Sequence, residues 1–586
     1  APAVAEFHKD LGVALRAVGR IDDAIRAHRR AIELRADFAE PYFHLGNLLQ
    51  SQGKLDEAIS AFRRLIELEP ELAEGYVNLG NALLLKNELF EADLAYQRAL
   101  DFNPELPRAY SNRALLQLRQ QQFDAAADSS RRAIALAPGF PEAHNNLGTI
   151  LMRQGLIDDA LASFRQAGDL APGYQPAHSN RLFALHYHPR FSPLQILQEH
   201  REWAQSFADP LTAQASPHDH DRDPQRPLRI GYISPDLRDH PVGRLSGPLL
   251  ANHDRTQFEV HVFSDIHEPD EITRQLMAHT DHWHQTPSLS NPAVAELIRA
   301  CGIDILIDLG LHSADNRLLA LALKPAPVQL TYLAYPGTSG MAAMDYRLTD
   351  ARLDPPGNES FYSEKSVRLD HYWCYNPPDD APDVGALPAV TAGHVTFGCL
   401  NSPSKLSEPA LLLFSELLDA LPGSRLLLHA HPGTHPQRIL RTLASSNNIH
   451  SDRIEFVPNQ SHREYLNTYN RIDIALDPFP FAGGATTCDA LYMGAPVVTL
   501  AGQIATGRFG VTFLSALGEE KLIAQSHAQY LQIAAGLASD LPRLAGLRAS
   551  LRQRMTASAL LDCPAFTRDF ERALREIWRT HCQIRA

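Results

Sequence analysis

The stretch GGATTCDALYMGAPVV, residues 483–498, has the order of a glycine-rich loop, a short helix and a buried strand. It follows IDIALD at residues 472–477, a mostly apolar run that predicts another buried strand. A strand, a loop, a helix and a second strand form the repeating unit of a parallel α/β sheet. The junction of loop and helix carries Thr486 and Thr487, so it either binds an anion or only turns the chain.

The same alternation of strands and helices extends on both sides of this unit. Short apolar runs such as LRIGYIS, FEVHVFS and RLLLHA alternate with helical stretches, and a proline-rich segment separates them into two sets. We therefore predict two doubly wound domains, residues 228–385 and 386–563, followed by an amphipathic helix, residues 564–586. Ligands of such sheets bind beyond the carboxyl ends of the strands, so two facing domains predict a cleft.

The first third of the chain repeats every 34 residues. Alanine and proline recur at this period, at Ala24, Ala58, Ala92, Ala126, Ala160, Pro70, Pro104, Pro138 and Pro172. Small residues permit close helix packing, and the proline ends one helix pair before the next begins. The pattern is typical of tetratricopeptide repeats, which stack into a superhelix with a concave face. We predict about five repeats over residues 1–185 and a helical connector and linker over residues 186–227.

One position of the repeat is polar without a packing reason. It is occupied by Asn78, Asn112, Asn146 and Asn180. An asparagine amide can pair with a peptide backbone regardless of that peptide's sequence, so we hypothesise that these side chains bind acceptor peptides along the groove. The alternative is that each asparagine satisfies a neighbouring helix turn.

Net charge, cysteine spacing and the length of apolar runs indicate which partners and cellular compartment to expect. The formal net charge of −14 over 586 residues does not favour nucleic acid or an anionic membrane as a partner. The six cysteines stand singly, which indicates neither a zinc ribbon nor a disulfide framework. No apolar stretch is long enough to span a bilayer, so we expect a cytoplasmic protein that does not bind membranes. A homodimer is possible.

The opening stretch has the chemistry of a phosphate site. Gly483 and Gly484 allow close approach of a ligand, and hydroxyls stand at a helix N-terminus, where free amides favour an anion. Asp489, one turn further, could accept hydrogen bonds from a ribose diol. The alternative is a capping box of Thr486 with Asp489, which needs no ligand. On these residues alone the two interpretations are about even.

A lysine at a neighbouring strand end favours the ligand. Lys405 follows the predicted strand HVTFGCL, residues 394–400, in the same domain. An ammonium there can neutralise a diphosphate. The acidic pair Asp379–Asp380 lies in the proline-rich interdomain segment and not in a convincing metal-binding loop. We therefore expect a nucleotide diphosphate site without a metal or cofactor, in which Lys405 and the helix terminus act in place of a cation.

The chain resembles the protein O-GlcNAc transferases, glycosyltransferase family 41, which have the GT-B fold. The resemblance rests on the repeats and on the stretches RIGYISPDLRDHP, KPAPVQLTYLAYPGTSGMAAMDY, SEKSVRL, LNSPSK and DPFPFAGGATTCDALYMGAPVVT. It implies a tetratricopeptide superhelix followed by two Rossmann-like domains. It also implies transfer of N-acetylglucosamine from UDP-GlcNAc to protein hydroxyls, with UDP as product.

The resemblance also implies roles for individual residues. His240 matches a proposed catalytic base, His282 another active-site histidine, and Lys405 the lysine on the donor diphosphate. The remaining matches to nucleotide-sugar-binding or cleft-lining positions are Ser402, Tyr465, Thr486, Thr487, Asp489, Gly337 and Thr338. Tyr465 falls where the family stacks a side chain on the base.

The sequence also departs from the animal enzymes of this family. They carry glutamine where Ser402 stands and a large insertion between the catalytic halves. The form TTCDALYMG is closer to the plant SPINDLY branch, which transfers fucose from GDP-fucose. We predict an inverting, metal-independent O-GlcNAc transferase. The alternatives are an O-fucosyltransferase and a repeat scaffold with an inactive transferase domain.

Overall fold

The computed structural model describes residues 4–447 and 449–584, which form two compact units. Of the described residues, the first unit comprises 4–150 and 166–174, and the second comprises 151–165, 175–447 and 449–584. The first unit is built of helices, and the second contains two parallel sheets. The second unit thus begins before residue 185, where we placed the end of the repeats.

Ten helices in the described part of the chain form five pairs. The first helix of each pair begins at residue 5, 39, 73, 107 or 141, and the second at residue 21, 55, 89, 123 or 157, which confirms the 34-residue period. The helices are α1 (Ala5–Ala17), α2 (Ile21–Leu34), α3 (Ala39–Ser51), α4 (Leu55–Leu68), α5 (Ala73–Leu85), α6 (Leu89–Phe102), α7 (Pro107–Arg119), α8 (Phe123–Leu136), α9 (Pro141–Arg153) and α10 (Ile157–Leu170). The last two contribute residues to both units.

Small residues explain the close packing within each helix pair. The five periodic alanines are completely buried. Gly80 packs against the ring of Tyr96, where an added Cβ would lie 2.6 Å from a ring carbon. Gly46 meets Phe62 in the same way one repeat earlier. The repeat therefore keeps a glycine opposite an aromatic side chain, because a larger residue would separate the two helices.

The second unit begins with connecting helices and leads into a seven-stranded sheet. The connecting helices are α11 (Gln175–Leu185), α12 (Pro193–Trp203) and α13 (Asp209–Thr212). All strands of the sheet are parallel, in the order β3-β2-β1-β4-β5-β6-β7. They are β1 (Leu228–Ser234), β2 (Phe258–Ser264), β3 (His282–Gln285), β4 (Ile305–Asp308), β5 (Val328–Thr331), β6 (Tyr346–Asp350) and β7 (Lys365–Leu369). The helices between them are α14 (Pro241–Asn252), α15 (Glu271–Met277), α16 (Asn291–Ala300) and α17 (Leu318–Ala322).

A second parallel sheet follows, in the order β10-β9-β8-β11-β12-β13. Its strands are β8 (Thr396–Cys399), β9 (Arg425–His429), β10 (Ile454–Val457), β11 (Ile474–Leu476), β12 (Val497–Leu500) and β13 (Ile523–Ala524). The helices are α18 (Pro388–Ala392), α19 (Glu408–Ala420), α20 (His435–Ser446), α21 (His462–Thr468), α22 (Ala485–Tyr492), α23 (Phe509–Ala516), α24 (His527–Ala538), α25 (Leu541–Thr556) and α26 (Cys563–Ile584). Two doubly wound halves are confirmed.

The C-terminal helix α26 returns to the first half, where it packs on α14 and β7. Glu571 accepts hydrogen bonds from the ring of His253 and the backbone amide of Asp254. This return brings Cys563 to Cys374, and the two form a disulfide. The spacing of the cysteines did not indicate this bond, because the partners are 189 residues apart and no local pattern marks them.

None of the helices in the described ranges combines the length and apolar character that a bilayer-spanning segment requires.

Candidate functional site

Two adjacent strand ends of the second sheet carry the predicted phosphate-binding residues. Strands β8 and β11 pair directly. The segment from Asn401 to Lys405 follows β8, and Asp477 follows β11. Because the strands are parallel, both segments leave the sheet at the same edge. The helix α22 begins a few residues later, after the glycine loop.

The carboxylate of Asp477 holds the glycine loop in place through hydrogen bonds. Its Oδ1 accepts hydrogen bonds from the backbone amide of Gly483 (2.7 Å) and from Thr487 Oγ1 (3.4 Å), and Oδ2 accepts one from Thr499 Oγ1 (2.7 Å). The side chain is buried, and burial raises the pKa of Asp477 to about 6. A Cβ on Gly483 would lie 2.5 Å from Thr487 Oγ1, so only glycine permits this arrangement.

The N-terminus of α22 is not closed by a capping box. Its N-cap is Gly484, which has no side chain to accept a hydrogen bond. The hydroxyl of Thr486 instead donates to Asn401 Oδ1 at 2.7 Å. Within the described residues, the backbone amides of Ala485 and Thr486 donate to no protein group. The capping-box interpretation is therefore wrong, and the helix terminus presents amides that can bind an anion.

Lys405 brings a cation to the same loop. It lies in a short 3₁₀ turn, Pro403–Lys405, whose N-cap residue is the half-buried Ser402. The ammonium donates to the backbone oxygen of Ala482 at 2.9 Å and lies 4.7 Å from the centroid of the Phe481 ring. No carboxylate of the described chain lies within 4 Å of it. Burial lowers the pKa of Lys405 to about 8.

Asp489 is held by tyrosines on the inner side of α22. Its Oδ1 accepts from the hydroxyl of Tyr375 at 2.7 Å, and its Oδ2 accepts from that of Tyr465 at 3.0 Å. The Tyr465 hydroxyl also lies 3.0 Å from the hydroxyl of Tyr469, which donates to the backbone oxygen of Thr486. Burial raises the pKa of Asp489 to about 6. Asp489 thus orients the tyrosine predicted to stack on a base, and both of its oxygens already have donors.

His240 follows the first strand of the other half and is the N-cap of α14. Its Nδ1 accepts a hydrogen bond from the backbone amide of Val242 at 3.3 Å, and the Asp236 carboxylate is 3.9 Å from the same nitrogen. Burial lowers the pKa of His240, so the ring is neutral at pH 7. With Nδ1 as acceptor, the neutral ring carries its proton on Nε2. In this tautomer Nε2 donates a hydrogen bond.

His282 is not at the cleft, which corrects its predicted catalytic role. It is the first residue of β3, the edge strand of the first sheet, and therefore lies at the amino end of its strand. Its Nε2 is 3.0 Å from Glu259 Oε1. A ligand that binds beyond the carboxyl ends of the strands is at the opposite edge.

The loop with Gly337 and Thr338 is held by internal hydrogen bonds. The buried hydroxyl of Thr338 is 2.8 Å from both Glu364 Oε2 and Ser363 Oγ. The amide of Gly337 donates to the backbone oxygen of Tyr335. The Thr338 hydroxyl and the Gly337 amide thus stabilise the conformation of this loop.

Three of the four asparagines lie in the first unit. Asn112 donates to Asn81 Oδ1 at 2.7 Å, and Asn146 donates to the hydroxyl of Ser111 at 3.0 Å. Asn78 and Asn146 are buried, and Asn112 is half-buried. Both bonds reach back to the preceding repeat, so at least two of these amides join neighbouring repeats. The fourth, Asn180, is a half-buried residue of α11.

Sequence reasoning missed the residues that hold the site together. Asp477, Asn401 and Tyr375 touch the glycine loop or α22. The first two were detectable, because each is a polar residue immediately after a buried strand. Tyr375 was not, since it comes from the segment between the halves.

The chain is similar to known glycosyltransferases. The sequence model of glycosyl transferase family 41 matches residues 170–375 and 388–570. Tetratricopeptide repeat models match residues 12–53, 46–87 and 111–174. The catalytic match covers both sheets and thus includes the site described above.

Curated relatives include plant and animal proteins. The Solanum lycopersicum protein named probable UDP-N-acetylglucosamine–peptide N-acetylglucosaminyltransferase SPINDLY is 36% identical over 412 residues, 69% of this chain and 44% of its own length. The Caenorhabditis elegans UDP-N-acetylglucosamine–peptide N-acetylglucosaminyltransferase is 24% identical over 60% of this chain and 41% of its own. The chain thus spans less than half the length of these relatives.

A solved structure covers more of the chain. A mutant of the Thermobaculum terrenum O-GlcNAc transferase superposes with a TM-score of 0.84 and 38% identity, over 88% of this chain and 99% of the other.

Proposed function

Because the chain belongs to glycosyl transferase family 41, we propose that it transfers N-acetylglucosamine from UDP-GlcNAc to serine and threonine hydroxyls of proteins. The donor assignment is supported by the names of the plant and animal relatives. The observation that carries the proposal is the arrangement around Lys405. A half-buried ammonium without a carboxylate partner lies beside a helix N-terminus with unpaired amides. Such a pair of positive groups is suited to a diphosphate.

The chemistry follows from where charge develops. When the glycosidic bond breaks, negative charge grows on the leaving diphosphate. Lys405 and the amides at the start of α22 can stabilise it without rearranging, since Asp477 and Asn401 already hold the loop. We infer a metal-independent reaction in which these groups take the place of a cation. The acceptor hydroxyl attacks the sugar carbon directly and inverts it, the bond to the diphosphate breaks, and the hydroxyl proton passes to the leaving diphosphate.

His240 contributes as a hydrogen-bond donor in the tautomer that the bond from the Val242 amide selects. To act as a base through Nε2, the ring would have to carry its proton on Nδ1, whose nearest carboxylate is 3.9 Å away. A hydrogen bond of normal length does not span that distance. The geometry therefore favours a role in positioning substrate over proton abstraction. His240→Gln keeps a donor, so we expect it to retain much more activity than His240→Ala.

Calorimetry with UDP, UDP-GlcNAc, GDP and GDP-fucose tests the donor. We expect the uridine nucleotides to bind and the guanosine nucleotides to bind much more weakly. Transfer to a protein acceptor is then measured with and without EDTA. Tight GDP binding with no UDP binding would identify an O-fucosyltransferase. Nucleotide binding without transfer to any protein would indicate a scaffold whose transferase domain is inactive.

A further inference from the structure

A cluster of metal-ligating side chains lies at the edge of the first sheet, apart from the proposed nucleotide site. His261 is in the middle of β2 and His284 is in the edge strand β3. Cys301 is the C-cap residue of α16 and is a free, half-buried thiol. Their ligand atoms all lie within 4.8 Å of one another. We propose that His261, His284 and Cys301 bind a zinc ion.

The distances match a tetrahedral zinc site. His261 Nδ1 and His284 Nε2 are 3.2 Å apart, and Cys301 Sγ is 3.7 Å from His284 Nε2. Tetrahedral zinc with bonds of about 2.0–2.1 Å to nitrogen and about 2.3 Å to sulfur requires separations of about 3.4 Å and about 3.6 Å. These two separations are within tenths of an ångström of the required values, and the third, between His261 and Cys301, is within 4.8 Å. Water can supply the fourth ligand.

The fold holds the imidazoles in this arrangement. The two histidines lie on the paired strands β2 and β3, two residues apart in the register, with their rings nearly parallel at 9°. His284 also stacks on Phe263, with ring centroids 4.8 Å apart.

Glu259 supplies the partner that zinc-bound histidines usually have. Its Oε1 is 3.2 Å from His261 Nε2, so a ring that binds the ion through Nδ1 donates its other proton to a carboxylate. Arg229 holds the second oxygen of Glu259 at 3.1 Å. A competing set of Glu259, His261 and His282 is also close enough for a metal. It would use His261 Nε2 and leave Cys301 out.

Cobalt binding distinguishes the two sets. The full chain, freed of metal, is titrated with Co²⁺, and absorption is recorded. We expect about one equivalent to produce a thiolate-to-cobalt charge-transfer band together with the bands of tetrahedral cobalt, and zinc to displace it. Zinc should also raise the melting temperature, because it binds only the folded chain.

Variants give the decisive outcomes. Cys301→Ala and His284→Gln should lose the charge-transfer band and the thermal shift. His282→Gln and Cys582→Ala, which remove a neighbouring histidine and another half-buried thiol, should keep both. No charge-transfer band in the wild type, or a band that survives Cys301→Ala, would overturn the proposal, as would loss of the band in His282→Gln alone. If EDTA slows transfer by the wild type but not by Cys301→Ala, the effect arises at this cluster and not in the cleft. The test of the zinc site is therefore separate from the test of the proposed function.

Discussion

The two sheets end in different ways at their carboxyl edges. In the first sheet, Asp308 is the last residue of β4, and its carboxylate accepts hydrogen bonds from the amides of Gly310 and Leu311. Asp265, after β2, is paired with Arg317 at 2.6 Å. These charged groups have their partners within the protein, so they stabilise turns and need no ligand.

The second sheet leaves its strongest donors without a carboxylate in direct contact. Lys405 has one backbone acceptor and no carboxylate within 4 Å in the described chain. The two amides at the start of α22 have no acceptor among the described residues. A half-buried charge without a counterion is costly, and it is kept where a ligand completes it. In this comparison, polar groups with partners inside the protein stabilise turns. The donors without such partners lie together at the candidate nucleotide site.

Lys405→Ala should have the largest effect. The ammonium helps the diphosphate more as the bond breaks than in the bound donor, so kcat should fall by about 10²–10³, the range for a single electrostatic stabiliser. Donor affinity should fall by less, and added Mg²⁺ should not restore the rate. Lys521→Ala, an exposed lysine in the same half, is the matched control. Near-normal kcat with weak donor binding would instead make Lys405 a binding group.

Raising the pH should lower the activity for the same reason, because it removes the charge of Lys405. The pKa of Lys405 is about 8 in the free protein, so the ammonium is present below pH 8 and is lost above it. The value of kcat/KM, which reports ionisations of the free enzyme, should therefore fall up to about tenfold per pH unit above that point. Lys405→Arg keeps its charge at higher pH. The pH above which kcat/KM falls should therefore increase in this variant, whatever its kcat/KM at lower pH. An unchanged limb in Lys405→Arg would assign the ionisation to another group.

A pair of aspartates tests the comparison directly. Asp308 and Asp477 are both buried at strand ends, and burial raises the pKa of each to about 6. Replacement of either with asparagine should lower the free energy of unfolding by about 1–3 kcal/mol, because one buried donor loses its acceptor. That donor is a backbone amide beside Asp308 and the Thr499 hydroxyl beside Asp477. Only Asp477→Asn should also lower kcat, by roughly tenfold, since it loosens the glycine loop. Chemical denaturation and kinetics on the same samples measure both. Equal kinetic losses would show that the first sheet edge also contributes to catalysis.

The sequence predicted what depends on local pattern. The 34-residue period, the two α/β halves and the strand–loop–helix at residues 472–492 follow from periodicity and glycine placement, and all three are present. The family match and the resemblance also agree. Thr486 and Lys405 were placed beside the same loop because parallel strands end at one edge.

Contacts between distant segments were not predictable in this way. His282 was assigned by similarity of a short motif, but β3 is an edge strand of four residues with alternating polar side chains, and it was not predicted as a strand at all. The short strands β6, β7 and β13 were missed for a similar reason. Cys301 comes near His261 and His284 only through the packing of α16, just as Cys374 meets Cys563 through α26.

Tyr465 should separate stacking from hydrogen bonding. Loss of the ring in Tyr465→Ala should weaken UDP binding roughly tenfold, on the scale of about 1–3 kcal/mol for a stacked base. Tyr465→Phe keeps the ring and removes only the hydroxyl, with its contacts to Asp489 and Tyr469, so the affinity for UDP should fall by less. Calorimetry measures both affinities. If the two variants weaken UDP equally, the hydroxyl and Asp489 matter and stacking does not.

The asparagines of the repeats should give the smallest effect. Asn112 and Asn146 already join neighbouring repeats, so alanine at these positions should cost about 0.5–1.5 kcal/mol each in the stability of the first unit. If the amides also bind acceptor backbone, replacing Asn78, Asn112, Asn146 and Asn180 together should slow transfer to long proteins several-fold. Donor hydrolysis and UDP affinity should not change, and Gln97→Ala, which removes an exposed amide from α6, should have neither effect. Reduced stability with an unchanged transfer rate, measured below the melting transition, would restrict these amides to joining repeats.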